Sequence, residues 1–211
     1  MEGVVRFFQE GGAFMYPIMI VLALGIAIAL ERYIYLNKSK KNNTLMWDKL
    51  MPLVKSGEFQ QALNITTQSK SDVSKVLTYG LSRIKGARHR EDIETAMEEG
   101  LMEIIPRLEK RTHYLATFAN IATLLGLLGT IIGLIQAFTA VANANPAEKA
   151  DLLSGSISVA MNTTAFGLMV AIPLLLIYTV LQTKTTELVD SLEMASVKFL
   201  NTIMERAKTG G

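Results

Sequence analysis

Three long stretches without a charged residue constrain this chain more than any other feature of its sequence. They are residues 11–30, 114–147 and 152–183. The hydrocarbon core of a bilayer is about 30 Å thick, and a helix needs roughly 20 apolar residues to cross it. Within that core every backbone polar group needs a partner, which a single segment can supply only as a helix. We therefore predict an all-α integral membrane protein with three transmembrane helices.

Lysines and arginines near the ends of these stretches indicate their orientation. They collect after the first stretch, before the second and after the third, whereas the loop between the last two holds only Lys149, beside Glu148 and Asp151. The positive-inside rule then places the N-terminus outside and the C-terminus in the cytoplasm. The predicted segments are a periplasmic N-terminal segment 1–12, transmembrane helix 1 at 13–36, a cytoplasmic helical region 37–112, transmembrane helix 2 at 113–142, a short periplasmic loop 143–151, transmembrane helix 3 at 152–183 and a cytoplasmic C-terminal helix 184–211.

The cytoplasmic parts have apolar residues at the three-to-four spacing of helices. Residues 37–45 are polar and are predicted to be a linker, and Ser56-Gly57-Glu58 is predicted to end one helix and begin another. A later helix, starting at Glu91, is expected to continue into the second apolar stretch, with a possible kink at Pro106. The third apolar stretch is expected to continue into the C-terminal tail as one long helix.

Small residues form a narrow stripe along the second apolar stretch. At 100° per residue they fall on one side of the helix: Ala122, Gly126, Gly129, Gly133, Ala137 and Ala140. Such a stripe lets two helix backbones approach closely. Thr123 and Thr130 lie beside it. Helix packing alone explains the stripe as well as a polar pathway does, because each threonine can donate to a carbonyl of its own helix.

The third stretch carries polar residues on several of its faces. Asn162, Thr163 and Thr164 follow one another, and Pro173 lies further along. Polar groups on several faces favour a helix surrounded by protein or by a polar lumen, and the carbonyl that Pro173 frees also favours a packed bundle. No ionisable residue lies deep in any of the three stretches. The sequence thus has the marks of a polar pathway without a titrating group to operate it.

Composition excludes several classes of function. The chain has no cysteine, and its net charge of +2 comes from basic residues near the membrane ends. We therefore expect neither a disulfide nor a zinc–thiolate site, and no nucleic-acid partner. No nucleophile–base set, metal-ligand cluster or phosphate-binding loop is present, so we expect no enzyme, no catalytic residue and no bound cofactor or metal.

Two motifs resemble those of a known family. The stretch 126–133, GLLGTIIG, followed by Ala137 and Phe138, resembles the second membrane helix of the ExbB/TolQ proteins, in the MotA/TolQ/ExbB ion-channel superfamily. The stretch 162–173, NTTAFGLMVAIP, resembles their third membrane helix, and 56–63, SGEFQQAL, resembles part of their soluble section. The resemblance covers essentially the whole chain. Flagellar MotA proteins usually have four membrane segments, so three segments favour the ExbB/TolQ branch.

The resemblance implies an ion-driven motor subunit in a bacterial inner membrane. Five copies would surround a dimer of a single-span ExbD/TolR-like protein in a central pore, whose aspartate would bind and release the ion. The complex would drive a periplasmic client through a TonB/TolA-like protein. Thr130 and Thr164 match the pore threonines of the family, and the moving ion would be H⁺, with Na⁺ possible.

Two positions depart from the family pattern. Many members carry a glutamate where this chain has Val159, and many carry a proline where it has Thr123. The first departure leaves the partner's aspartate as the only expected titrating group. Besides the motor, the sequence leaves two alternatives open: a non-conducting oligomeric membrane scaffold, and a flagellar MotA-like stator subunit.

Overall fold

The protein is all-helical in the part of the chain that the structure describes. The computed structural model describes residues 12–84, 86, 89–142 and 144–209, so nearly all of the predicted N-terminal segment 1–12 lies outside the described residues. Six helices occur among these described residues: α1 Met15–Ser56, α2 Phe59–Gln68, α3 Asp72–Arg83, α4 Arg90–Glu109, α5 Thr112–Ala142 and α6 Lys149–Thr209. No strand occurs among these residues.

In the described part of the chain, three helical stretches are long and apolar enough to cross a membrane. They are residues 15–56, 90–142 and 149–206. The second includes both α4 and α5, but its uncharged part, from Tyr114 onward, belongs to α5. The expected class, an all-α membrane protein with three membrane-spanning helices, is confirmed.

The chain divides into two compact units. The first, here called the apolar unit, comprises the described residues up to Glu31 together with those of Arg111–Val180. The second, the polar unit, comprises Arg32–Lys110 and the residues from Leu181 onward. Helices α1 and α6 each have one part in the apolar unit and one part in the polar unit.

The apolar unit has a core built from three helices. Gly25 of α1 lies so close to α6 that a Cβ atom on it would be 2.7 Å from Cδ2 of Leu174. The other buried apolar side chains range in size from alanine to phenylalanine: Met15, Ile18, Val21 and Ala29 from α1, Leu115, Ala119, Ala122 and Ala137 from α5, and Ala160, Phe166, Val170 and Ala171 from α6. Many large apolar side chains on all three helices point outward, as a membrane environment or neighbouring subunits require.

The polar unit has a conventional helical core. Its members include Leu36, Leu50 and Val54 from α1, Val76, Leu77 and Leu81 from α3, Met97, Ile104 and Leu108 from α4, and Leu188, Leu192 and Phe199 from α6. Helix α3 begins at the N-cap Ser71, whose side chain accepts a hydrogen bond from the backbone N–H of Ser74. Gly57, at φ +82°, ends α1 in the left-handed conformation that glycine adopts at helix C-termini. The predicted break at 56–58 is therefore confirmed.

The predicted linker at residues 37–45 is wrong, because α1 runs through it without interruption. Ser39 and Asn43 are buried there, with Leu36, at the spacing of one helix face. Ser39 donates a hydrogen bond to the Asp72 carboxylate, and Asn43 Oδ1 accepts one from the backbone N–H of Val73 at 3.1 Å. These bonds fix the start of α3 on α1 and compensate the burial of two polar side chains.

The expected continuation of α4 into α5 is also wrong. Helix α4 ends at Glu109, three residues after Pro106, and α5 begins at Thr112. Between them Arg111 adopts φ +68°, a left-handed conformation that costs a non-glycine residue about 1–2 kcal/mol. Its guanidinium donates two hydrogen bonds, of 2.9 and 2.8 Å, to the carboxylate of Glu31. In contrast, α6 is one helix of 61 residues, as expected for the third stretch and the tail.

Candidate functional site

The small-residue stripe of α5 lies directly against α6 in the apolar unit. A Cβ atom on Gly126 would be 3.2 Å from Cα of Thr164 and 3.3 Å from Cα of Gly167. One on Gly133 would be 2.9 Å from Cβ of Ala160, and one on Gly129 would overlap the side chain of Thr163. The three glycines thus make one continuous contact between the helices, which we call the glycine seam.

The two backbones come closest where glycine faces glycine. A Cβ atom on Gly167 would lie 2.7 Å from the carbonyl oxygen of Ala122 and 3.1 Å from Cα of Gly126. Both are backbone atoms, which cannot rotate out of the way as a side chain can. Only glycine at 167 is compatible with this approach, which makes the centre of the glycine seam its most constrained point.

Thr164 joins the two helices at this point by a hydrogen bond. Its Oγ1 donates to the carbonyl oxygen of Gly126 at 2.8 Å. The bond is possible because no side chain at 126 or 167 holds the helices apart. The hydroxyl oxygen keeps its lone pairs, so Thr164 can still accept a hydrogen bond or contribute an oxygen ligand to a cation.

Thr130 lies one helical turn beyond Gly126 on α5 and is half-buried. Residues four apart lie on the same side of a helix, so Thr130 is on the side of α5 where Gly126 accepts the hydrogen bond from Thr164. Its Oγ1 donates to the carbonyl oxygen of Leu127 at 2.6 Å. Its donor is therefore engaged within its own helix, and the hydroxyl oxygen remains available as an acceptor.

The other predicted pathway residues occupy different environments. Thr163 is buried against Gly129, and its hydroxyl donates to the carbonyl oxygen of Val159 at 3.0 Å. Thr123 is exposed on α5 and donates to the carbonyl oxygen of Ala119 at 3.1 Å. Asn162 is half-buried on α6. Within this chain, then, Thr163 is part of the packed seam, whereas Thr123 and Thr130 remain accessible from outside it.

The residues predicted for helix packing also divide. Gly126 and Gly129 are buried, and Gly133 contacts Ala160. Pro173 is exposed on α6 within this chain. Ala140, at the end of the predicted stripe, is exposed as well. The seam therefore covers the middle of α5 and does not reach Ala140 near the C-terminal end of the helix.

Val159, at the position of the family glutamate, lies beside the start of α1. Its Cγ1 is 3.2 Å from where a Cβ atom on Gly12 would be, and Gly12 has φ +74°. A branched apolar side chain there packs against backbone. The site consequently offers hydroxyl and carbonyl oxygens but no carboxylate from this position.

Sequence reasoning missed the α6 half of the seam. Thr163, Gly167 and Ala171 follow one another at intervals of four, and all three are buried. This is the small-xxx-small pattern of close helix contacts. The spacing of four is visible in the sequence, but the hydroxyl residues around it suggested a polar face and not a packing face.

The arrangement as a whole defines a class of protein. In the described residues it is a three-span helical membrane protein whose second and third membrane helices approach through glycines and carry hydroxyl oxygens in segments without charge. Residues 68–194 match the model of the MotA/TolQ/ExbB proton channel family. The chain belongs to this family, whose members are transport-associated channel subunits.

Individual relatives agree with this assignment. The chain is 31% identical over 193 residues to a putative biopolymer transport protein ExbB homolog of Methanothermobacter thermautotrophicus, covering 90% of this chain and 67% of that protein. It is 29% identical over 188 residues to the biopolymer transport protein exbB1 of Vibrio cholerae, covering 82% and 76%. A shorter match, 36% over 83 residues, is to the Tol-Pal system protein TolQ of Haemophilus influenzae, covering 39% and 36%.

Proposed function

We propose that this protein is the ion-conducting wall subunit of an ExbB–ExbD-like motor in the inner membrane. Its family is named for a proton channel, and its relatives are named for biopolymer transport or for the Tol-Pal system. The motor would use the proton motive force to drive transport or envelope work. The N-terminus would be periplasmic and the C-terminus cytoplasmic.

One observation carries this proposal: the hydrogen bond from Thr164 to the Gly126 carbonyl, with Thr130 one turn away. It supports the proposal because Thr130 and Thr164, which resemble the family's pore threonines, lie on adjoining helices with oxygens that can still accept hydrogen bonds. Since the membrane segments have no ionisable residue at depth, this wall can stabilise a passing proton carrier or cation but cannot hold a proton itself.

The titrating group must then belong to a partner. We propose a dimer of a single-span protein with a membrane aspartate, enclosed by five copies of this chain, and a TonB/TolA-like protein that receives the work. Protons are the proposed ion. Sodium is the alternative, because hydroxyl and carbonyl oxygens can also replace its hydration shell.

The proposal is tested by Thr130→Val and Thr164→Val, each matched to a control on the same helix. Thr117→Val serves for α5 and Thr179→Val for α6, because both hydroxyls donate to their own helix and both residues are exposed. The protein is co-expressed with a candidate single-span partner, and the purified complex is reconstituted in liposomes. A pH-sensitive dye and a sodium-sensitive dye report flux under a potassium-diffusion potential.

We expect at least a tenfold lower flux in the two pore variants, unchanged flux in the two controls, and the same elution volume for all complexes. Full flux in both Thr130→Val and Thr164→Val would refute the pore assignment. Absence of any flux or partner from the wild-type complex would instead favour the oligomeric scaffold, in which the seam only packs helices.

A further inference from the structure

Lys184 is the first charged residue after the third apolar stretch, and in the polar unit it is held by neutral groups. Its Nζ donates to Oδ1 of Asn37 at 2.8 Å and lies 4.6 Å from the ring centroid of Tyr33. Both contacts fix the position of the ammonium group, and neither neutralises it. No carboxylate pairs with Lys184 in the described part of the chain.

The neighbouring lysine shows the contrast. Lys40 follows Asn37 by one turn on α1 and forms an ion pair of 3.2 Å with Glu187. Glu187 is therefore engaged with Lys40, one turn away from Lys184. Of these two cations on the α1–α6 surface, one is matched within the chain and the other is not.

The surroundings of Lys184 combine apolar and polar character. Tyr33 is 51% exposed and Ile34 is 64% exposed. Tyrosine is the residue expected where a helix crosses from hydrocarbon to headgroups. The uncharged first stretch ends at Leu30 and the uncharged third stretch at Thr183, so both sides of the site fall at that level of the membrane.

We propose that Lys184, Asn37 and Tyr33 form a binding site for the phosphate of an anionic phospholipid headgroup. The ammonium supplies the charge, the Asn37 carbonyl and the Tyr33 ring keep it in place, and the exposed surface of Tyr33 and Ile34 receives the start of an acyl chain. A bound lipid phosphate would neutralise Lys184, which no carboxylate of the described residues neutralises.

The test measures lipid binding to the purified oligomer in neutral detergent by native mass spectrometry. Phosphatidylglycerol and phosphatidylcholine are titrated separately, and inorganic phosphate is added as a competitor. Lys184→Gln removes the charge. Asn37→Asp retains the shape and places a carboxylate beside the ammonium, which neutralises it internally. Lys41→Gln removes an exposed lysine from the same region of α1 and is the control.

We expect the wild type to prefer phosphatidylglycerol and both site variants to bind it about fivefold more weakly, the factor that one lysine near a membrane surface contributes to anionic-lipid attraction. Lys41→Gln should bind as the wild type does, and phosphate should not compete. If Lys184→Gln prefers phosphatidylglycerol as strongly as the wild type does, the proposal is overturned. If that variant does not assemble, the same result with Asn37→Asp overturns it. Displacement of the lipid by inorganic phosphate also overturns it and identifies a free-phosphate site.

Discussion

Replacing Gly167 with alanine tests the close approach of α5 and α6 directly. The added methyl would lie 2.7 Å from the Ala122 carbonyl oxygen and 3.1 Å from Cα of Gly126. Because both neighbours are backbone atoms, the helices must separate. Overpacking of this kind costs about 1–3 kcal/mol, and separation also weakens the Thr164–Gly126 hydrogen bond, a membrane interaction that contributes about 0.6 kcal/mol.

Gly155→Ala is the matched control on the same helix. A Cβ atom there would have no neighbour within 4 Å. The gain in helix propensity from glycine to alanine, about 1 kcal/mol, applies to both variants and cancels in the comparison. We therefore expect Gly167→Ala to be about 2–4 kcal/mol less stable than Gly155→Ala.

The assay is equilibrium unfolding in mixed micelles with increasing dodecyl sulfate, followed by far-UV circular dichroism. A second pair makes the test more specific. Gly133→Ala would bring two Cβ atoms to 2.9 Å, and Ala160→Gly should relieve that contact in the double variant. Equal stability of the Gly167 and Gly155 variants would refute the close-packed seam. Additive effects at 133 and 160 would contradict the pairing between those positions.

Two further outcomes follow from the backbone and the caps, each measured by the same unfolding assay. Arg111→Val should destabilise by about 1–3 kcal/mol, because a β-branched residue opposes φ +68° and the exposed ion pair to Glu31 is lost. Arg111→Gly also loses the pair but removes the strain of a non-glycine residue at positive φ, so it should stay near wild type. Equal losses would show that the conformation at 111 is not strained. Ser71→Ala should cost about 1 kcal/mol by removing the N-cap of α3. Ser82→Ala, whose hydroxyl donates only to its own helix at Tyr79, should be neutral, and a neutral Ser71→Ala would contradict the cap assignment.

Charge and apolar length were sufficient to predict the three membrane helices. In hydrocarbon the backbone has no alternative to helix, so an uncharged stretch such as 152–183 specifies its own structure. Outside the membrane that constraint is absent. Residues 37–45 are helical because Leu36, Ser39 and Asn43 dock onto other helices, and two of these three are polar. A hydropathy pattern cannot reveal a stripe that is buried through hydrogen bonds.

The break before α5 was missed for a related reason. Sequence signals for a left-handed residue are glycine and asparagine, whereas here the position is Arg111. Its conformation is supported by the carboxylate of Glu31, which is distant in sequence. Only the three-dimensional contact identifies it.

The candidate site was predicted in part. The stripe of Gly126, Gly129 and Gly133 indicated a close contact, and the structure contains one. Its partner surface on α6 could not be chosen from the sequence, since rotation of a helix by a few tens of degrees exchanges one set of small residues for another. The assignment of Thr130 and Thr164 to an ion pathway stays a prediction that the flux measurements address.

The unbroken course of α1 and α6 restricts how the length of this protein can change. One residue inserted into a continuous helix turns everything beyond it by about 100° and advances it by about 1.5 Å. An insertion in α6 after Thr183 would therefore rotate Leu188, Leu192 and Phe199 out of the core of the polar unit. Additional residues can be accommodated at the turns between helices, for example at the break around Arg111, and relatives of different length should carry their insertions and deletions there.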